Sequence, residues 1–374
     1  PKPRPPVPES TPGRAQDSYT TMPGKNSSMP SRFAITLGSL DGIGPEVASE
    51  ALGRLTPAAL ARALIIGSPL ALEAAWDVLG KERALDPSRL RSTTIDELAA
   101  AASGPLLIDP APLSDGFRPG PDQGPRPELD AAPLAGLELA ARVATLGLIG
   151  AIVTAPIDKR VLTQALRSPG QPAFKGQTEF FAARSGSEEV LMVMANRALS
   201  VGILTTHLPL REVSAALNQP RILSGARLLH RFLEARSLGR PPRIALAGLN
   251  PHLGDDGLAG DEDQLLLAPA AELLRAEGMD LSGPISSESV FWRARDGAFD
   301  GVLALYHDQA MIPVRLLDFD HTVNVTVGLP YWRVSPDHGV AYDLAWKGLA
   351  RADSCSAAIE LALELWDAPG RAQT

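Results

Sequence analysis

From Phe33 onward the chain alternates short apolar runs with longer amphipathic stretches, a rhythm that few architectures accommodate. FAITLG (33–38) leads into a helix after Pro45; ALIIGS (63–68), PLLIDP (105–110) and GLIGAIVTAP (147–156) follow, with a helix near 131–145 before the last. The pattern resumes with LMVMAN, VGILTT, a helix beginning near Leu210, RIALAGL, a helix over 263–276 and GVLALY, and closes with a last strand TVNVTVGL and a helix from about Ser354 to Trp366. Strand-like runs separated by helix-length segments predict βα units wound around a largely parallel sheet. At 374 residues the chain exceeds the usual size of one hydrophobic core, which predicts two lobes.

Three of the six histidines close such β-rich runs: His207 after VGILTT, His252 after RIALAGLNP and His307 after GVLALY. In α/β proteins ligands bind beyond the carboxyl ends of the strands, and neutral imidazole is a common ligand for divalent metals. Three nitrogen ligands without a fourth protein group leave positions open for substrate oxygens, the arrangement of a catalytic metal site. Taken one at a time, each histidine reads equally well as a polar residue capping a strand.

Composition narrows the partners. The net charge of −8, without long blocks of like charge, argues against nucleic acid or an anionic membrane. No apolar stretch approaches the ~20 residues of a membrane span. Cys355 is the only cysteine, so neither a disulfide framework nor a thiolate metal cluster can form, and a reducing cytoplasm is expected. Residues 1–31 are rich in Pro, Ser and Gly and nearly empty of large aliphatics, and are expected to be a disordered extension.

Other motifs cluster polar groups beside apolar runs. GSLDGIGPEV (38–47) offers glycines for a sharp turn, Pro45 for a first helical position and Glu46 for the first turn; its freed N–H groups could hold an anion, and a structural turn explains it equally well. TAPIDKR (154–160) and KGQTEFF (175–181) present Lys159, Gln177 and Thr178, a point charge and two hydrogen-bonding side chains suited to carboxylate or phosphate oxygens. VNVTVGLPYWRVSPDHGVAYDLA (323–345) adds Asn324 and Arg333, and Arg315 lies just upstream. Cations bracketing His307 in an acidic chain favour an anionic substrate. The acidic loop DDGLAGDED (255–263) lacks EF-hand spacing and reads as a solvated face.

In order and with similar gaps, GIGPE, TAPIDK, GQTEF, TTHLPL, GLNPH, YHDQ, VNVTVGLP and DHG resemble the 4-hydroxythreonine-4-phosphate dehydrogenase family of pyridoxal phosphate biosynthesis over roughly residues 32–367. The resemblance implies a two-lobed α/β/α fold similar to isocitrate and isopropylmalate dehydrogenases. Residues 32–160 and 325–370 would form one lobe and 161–324 the other. The second lobe would carry the interface of a homodimer, with the active site in the cleft. It implies that His207, His252 and His307 bind one divalent metal (Zn, Mg or Co). Gln177, Thr178, Arg315, Asn324 and Arg333 would hold a small phosphorylated substrate. Lys159 or Asp308 would move protons, and Asp337, His338, Gly339 and Asp343 would hold NAD or NADP.

The chain departs from that family's usual pattern at several places. Gln177 stands where a histidine is usual and cannot titrate near neutrality; Arg315 replaces a lysine, exchanging a point charge for a fork. Ser39 and Leu40 replace the usual acidic or proline-containing turn, Ser286–Ser289 an Ala- and Asp-containing segment, and Trp346 a glycine of the cofactor loop. The implied reaction is metal-assisted oxidation and decarboxylation of 4-phosphohydroxy-L-threonine to 3-amino-2-oxopropyl phosphate. Gln177 and Arg315 motivate the same chemistry on threonate or erythronate 4-phosphate, and Trp346 motivates a catalytically silent metal- or metabolite-binding relative.

Overall fold

A computed structural model describes residues 32–101, 103–113, 117–160, 163, 176–236 and 239–368. The expectation of disorder over 1–31 lies outside these residues. Twelve strands among them form one continuous sheet. The first five are β1 (Phe33–Thr36), β2 (Ala63–Ile66), β3 (Arg91–Ser92), β4 (Leu106–Ile108) and β5 (Ala151–Thr154). Then come β6 (Leu191–Ala195), β7 (Ser200–Thr205), β8 (Arg243–Ala247), β9 (Asp280–Ile285) and β10 (Gly301–Tyr306). A hairpin of β11 (Val323–Val327) and β12 (Trp332–Pro336) completes the set. Across the sheet the order is β3-β4-β2-β1-β5-β12-β11-β6-β7-β10-β8-β9.

The α/β class expected from the alternation is the one observed. The sheet is less uniformly parallel than expected: β12–β11, β11–β6 and β6–β7 are antiparallel, and the two flanks are parallel. The reason is connection length. Only four residues join β6 to β7 and four join β11 to β12, too few for a crossover helix, so each pair must fold back as a hairpin. Strand β12 and the two edge strands, β3 and β9, lie outside the apolar runs quoted above.

Strands β1, β2 and β5 are buried along their whole length, as expected for near-continuous aliphatic runs covered by helices on both faces. Helices Gly44–Gly53, Pro69–Leu79 and Asp353–Asp367 contribute to a core that also takes in Leu191, Phe232 and Leu303 from the far flank. Helix Ala131–Thr145 packs its buried face, with Leu137, Ala140 and Val143, over the opposite side of β1, β2 and β5. The 263–276 segment begins with a wider π-helical turn, Asp263–Leu267, before the α-helix Ala268–Ala276.

Two glycines explain the tight GSLDGIGP turn after β1. Gly38 has φ +69°, and a Cβ there would lie 2.2 Å from the Pro156 carbonyl oxygen; a Cβ on Gly44 would meet the Leu37 carbonyl oxygen at 2.2 Å. Only glycine lets the β1 loop press against the β5 loop this closely. That contact brings the loop carrying Lys159 beside the one carrying Asp41.

Candidate functional site

The antiparallel centre of the sheet builds the floor of a cavity. Along β11, Asn324 and Thr326 share a face because strand side chains alternate. Register sets Ser335 opposite Asn324 and Arg333 opposite Thr326 on β12, and Met192 opposite Thr326 on β6. With Thr154 at the end of β5, residues from these strands line a cavity of about 220 Å³. Its rim comes from Lys159, from Gly176 to Glu179 at the start of helix Gln177–Ser185, from His207 after β7, and from His338 and Gly339 after β12.

Arg333 dominates the floor and is 3% exposed. Its Nε and Nη2 donate to Thr154 Oγ1 at 3.1 and 2.7 Å, Nη1 to Thr326 Oγ1 at 3.2 Å, and Nη2 to Gln177 Oε1 at 2.8 Å. The three acceptors of these four bonds are all neutral. Burial pushes the guanidinium down to about 10, and Glu179 acts on it only from a distance, so it remains a cation at neutral pH. A buried charge without a counterion is costly, and an anion entering the cavity would supply the missing partner. The bond from Arg333 fixes Gln177 with its carbonyl oxygen inward, leaving the amide N–H groups to donate elsewhere. Thr178 Oγ1 lies 3.3 Å from Thr326 Oγ1, and Asn324 Oδ1 is buried without a partner in the same chamber.

The metal expectation divides. Parallel register places Thr205 of β7 beside Tyr306 of β10, so the residues just beyond the two strand ends, His207 and His307, meet with ring centroids 6.0 Å apart. Partial burial and then the charge of Lys159 hold His207 below its ordinary pKa, favouring the neutral ligand form. His307 Nδ1 lies 2.6 Å from an Asp308 carboxylate oxygen, which can only accept, so Nδ1 carries a proton and Nε2 is the ring nitrogen left to bind a metal. His252 does not join them, correcting the expectation that one chain draws the three imidazoles together. It is exposed, five residues beyond β8, in a loop with left-handed backbone at His252, Leu253, Asp255 and Asp256. Asp263 fixes this turn by accepting from the Leu249 and Asn250 N–H groups at 2.8 and 2.9 Å. Among the described residues, no group of three His, Cys, Asp or Glu side chains converges as a metal site.

Other expected site residues lie apart from the cavity. Arg315 is not in its lining; the guanidinium forms a two-pronged ion pair with Asp337, Nε at 2.7 Å and Nη2 at 2.9 Å, and lies over the Phe319 ring. That pairing occupies both Arg315, expected to grip substrate, and Asp337, expected to hold cofactor. Asp308 is exposed and faces His307 rather than the cavity. Asp343 is exposed on the 337–350 loop. On that loop, His338 borders both the cavity and an apolar groove of about 190 Å³ lined by Ile43, Phe319, Ala341, Leu344 and Ala350. Its Nδ1 lies 3.2 Å from the Gly339 carbonyl oxygen and must donate to it; burial lowers the ring's pKa, so Nε2 is a buried acceptor without a partner.

Thr154, Thr326 and Ser335 were not singled out from sequence. The signal was present: Thr326 lies two residues past Asn324, on the same face of the strand, within the quoted motif.

Comparisons with known proteins bear on the chain as a whole. Residues 60–362 match the family model described as the pyridoxal phosphate biosynthetic protein PdxA. A 4-hydroxythreonine-4-phosphate dehydrogenase of Neisseria meningitidis is 38% identical over 337 residues, 89% of this chain and 97% of that protein. A protein of Symbiobacterium thermophilum carrying the provisional name D-threonate 4-phosphate dehydrogenase is 36% identical over 335 residues, 88% of this chain and 95% of its own. Among solved structures, the 4-hydroxythreonine-4-phosphate dehydrogenase of Klebsiella pneumoniae superposes with a TM-score of 0.75 at 35% identity, covering 90% of this chain and 100% of that one.

Proposed function

The chain belongs to the family of the pyridoxal phosphate biosynthetic protein PdxA, and on that premise we propose that it is a metal-dependent, NAD(P)-linked dehydrogenase. Its reaction is the oxidation and decarboxylation of 4-phosphohydroxy-L-threonine to 3-amino-2-oxopropyl phosphate. The observation that carries the reading is Arg333, a buried cation held by four hydrogen bonds to three neutral acceptors in a chamber with Lys159 on its rim. Such a chamber is built for an anionic end of a small molecule.

The residues fit the implied groups. His207 and the Nε2 side of His307 would hold the divalent ion. His252, exposed and remote within the chain, would complete the set from a second copy, which makes the active species a homodimer with a shared site. Leu208, Leu210 and Leu258, exposed beside these histidines, supply apolar surface for that contact. His338 Nε2 and the groove beside it would receive part of the dinucleotide, with Gly339 at its edge. When bound, the ion would supply Lewis acidity for the substrate hydroxyl and the nicotinamide would supply the hydride acceptor.

The chain's own residues do the remaining work. Arg333 and the Gln177 amide hold one anionic end, and Thr178 and Asn324 orient the carbon chain by hydrogen bonds. Lys159 reaches the cavity from its rim, where its Nζ can deliver a proton to the carbon that loses carbon dioxide. Asp308 fixes the ring of His307 and moves no proton itself.

A second reading, the same chemistry on threonate 4-phosphate, is favoured by the Symbiobacterium relative and by Gln177, locked to Arg333 where the family's usual residue is titratable. The two separate by NADH formation with 4-phosphohydroxythreonine, threonate 4-phosphate and erythronate 4-phosphate in the presence of divalent metal. Turnover of the first alone supports the primary reading, and turnover of a hydroxy acid alone supports the second. No turnover, together with no dinucleotide binding, would leave a silent relative and overturn both.

A further inference from the structure

Asp158 precedes Lys159 and is 8% exposed, yet its side chain belongs to none of the residues lining the cavity. It is the meeting point of three loops. Its N–H donates to Ser39 Oγ at 3.1 Å, tying it to the loop after β1. Its carboxylate accepts from Tyr342 Oη at 3.0 Å, on the loop after β12 that carries His338 and Gly339. The same carboxylate accepts from the Arg160 N–H at 2.9 Å and from its Nε and Nη2 at 3.3 and 3.0 Å. Strands β1, β5 and β12 are neighbours in the sheet and parallel, so the loops at their carboxyl ends lie side by side. The Tyr342–Asp158 bond thus links two neighbouring parts of the cavity's rim.

We propose that Tyr342 and Asp158 are positioning residues, a latch that holds the Lys159 rim against the His338–Gly339 rim and sets where the Lys159 ammonium stands. This rests on the role given above to Lys159. Burial and the bond to Asp158 keep the Tyr342 phenol protonated, so it is the donor throughout the neutral range. Asp158 itself would be raised by burial, but hydrogen bonds from Arg160 and Tyr342 outweigh that and keep it an anionic acceptor. The Arg160 side chain is 78% exposed, so its ion pair with Asp158 is screened by solvent and adds little to the bond that joins the two loops.

The test uses the full-length protein and two readouts. In the first, amide hydrogen exchange is followed over 154–160 and 336–344 without substrate: Tyr342→Phe should speed exchange in both segments together while 191–205 is unchanged. Exchange that stays at the parent rate, or rises in one segment only, overturns the latch. In the second, steady-state kinetics on whichever phosphorylated acid turns over should show kcat about tenfold lower with KM within about twofold, the signature of a misplaced catalytic group rather than lost binding. Asp158→Ala should match Tyr342→Phe, the double variant should be no worse than either, Asp158→Asn should recover most of the rate because its amide oxygen still accepts, and Arg160→Gln should be unaffected. Additive losses, or a change confined to KM, overturn the proposal. If the parent turns over none of the acids, the functional reading fails while the exchange experiment still decides the latch.

Discussion

Trp346 is the departure whose cost can be worked most fully. It occupies left-handed backbone at φ +61°, is 4% exposed, and donates from its indole N–H to the Leu40 carbonyl oxygen at 3.0 Å. Its backbone N–H donates to Glu46, which also accepts from Gly348 N–H at 2.9 Å. Truncating a buried Trp to Ala costs about 3–5 kcal/mol, and a non-glycine residue in the left-handed region carries about 1 kcal/mol of backbone strain. Trp346→Ala loses the indole and keeps the strain; Trp346→Gly loses the indole and sheds it. The expected losses are therefore about 3–5 kcal/mol for alanine and about 2–4 kcal/mol for glycine. In a helix or strand the order would be reversed, because glycine there is the worse residue by about 0.5–1 kcal/mol. Equilibrium urea unfolding of the three proteins, compared by midpoint at a common slope, reads both magnitude and order. An alanine variant as stable as the glycine variant would refute the backbone assignment; variants both within about 1 kcal/mol of the parent would refute the burial. Because Trp346 and Gly348 clamp the 337–350 loop to the turn after β1, both variants should also weaken NAD binding by equilibrium dialysis.

Other outcomes follow from the same geometry. Arg333→Met removes an uncompensated buried cation, so thermal stability should stay level or rise while the parent's stabilisation by inorganic phosphate disappears; a clear loss of stability would mean the charge is already compensated. Mixing inactive His207→Ala and His252→Ala proteins under subunit exchange should restore up to about a quarter of parent activity, since half of randomly mixed dimers are hybrids with one intact shared site of two; no recovery would place all three ligands in one copy. Asp300 is also testable by acid titration. Burial alone would raise it, but hydrogen bonds from Arg240 and Arg243 outweigh that and hold it far below the ordinary range. A depressed carboxyl stabilises the fold above its unfolded pKa and loses that contribution as pH falls toward the folded value. Asp300→Asn should therefore cost about 1–3 kcal/mol at pH 7, with the gap to the parent closing below about pH 4; a pH-independent gap would point to packing instead.

The strands and the histidines at their ends were legible because aliphatic runs of four to six residues leave an unmistakable period, and the residue after such a run must emerge at the sheet's edge. Strand β12 was not legible: WRVSP holds an arginine and a serine between two prolines, and only the antiparallel neighbour β11 turns those polar groups toward a chamber. Thr154 and Thr326 stayed hidden because a threonine in a β-rich run is ordinarily just a good strand former. The Arg315–Asp337 pair joins residues 22 apart, a closure no local pattern announces, and it engages two expected ligands with each other. For His252 the strand exit was read correctly. What sequence could not show was left-handed backbone at four non-glycine residues, His252, Leu253, Asp255 and Asp256, in the loop that bears the ring.

The antiparallel insertion also explains why this site is not confined to loops. In a purely parallel sheet a ligand meets only the carboxyl ends of the strands. Here β11 runs against β6 and β12, so Asn324, Thr326 and Arg333 project from within paired strands and form a floor braced on both sides by ladder hydrogen bonds. Lys159, His207 and the His338–Gly339 pair instead stand on connections beyond strand ends, which can shift without breaking the sheet. Recognition of the anion therefore falls to the rigid part and placement of the reacting groups to the adjustable part. A substitution on the floor should change which acid binds, whereas a substitution that loosens a rim should change how fast a bound acid reacts.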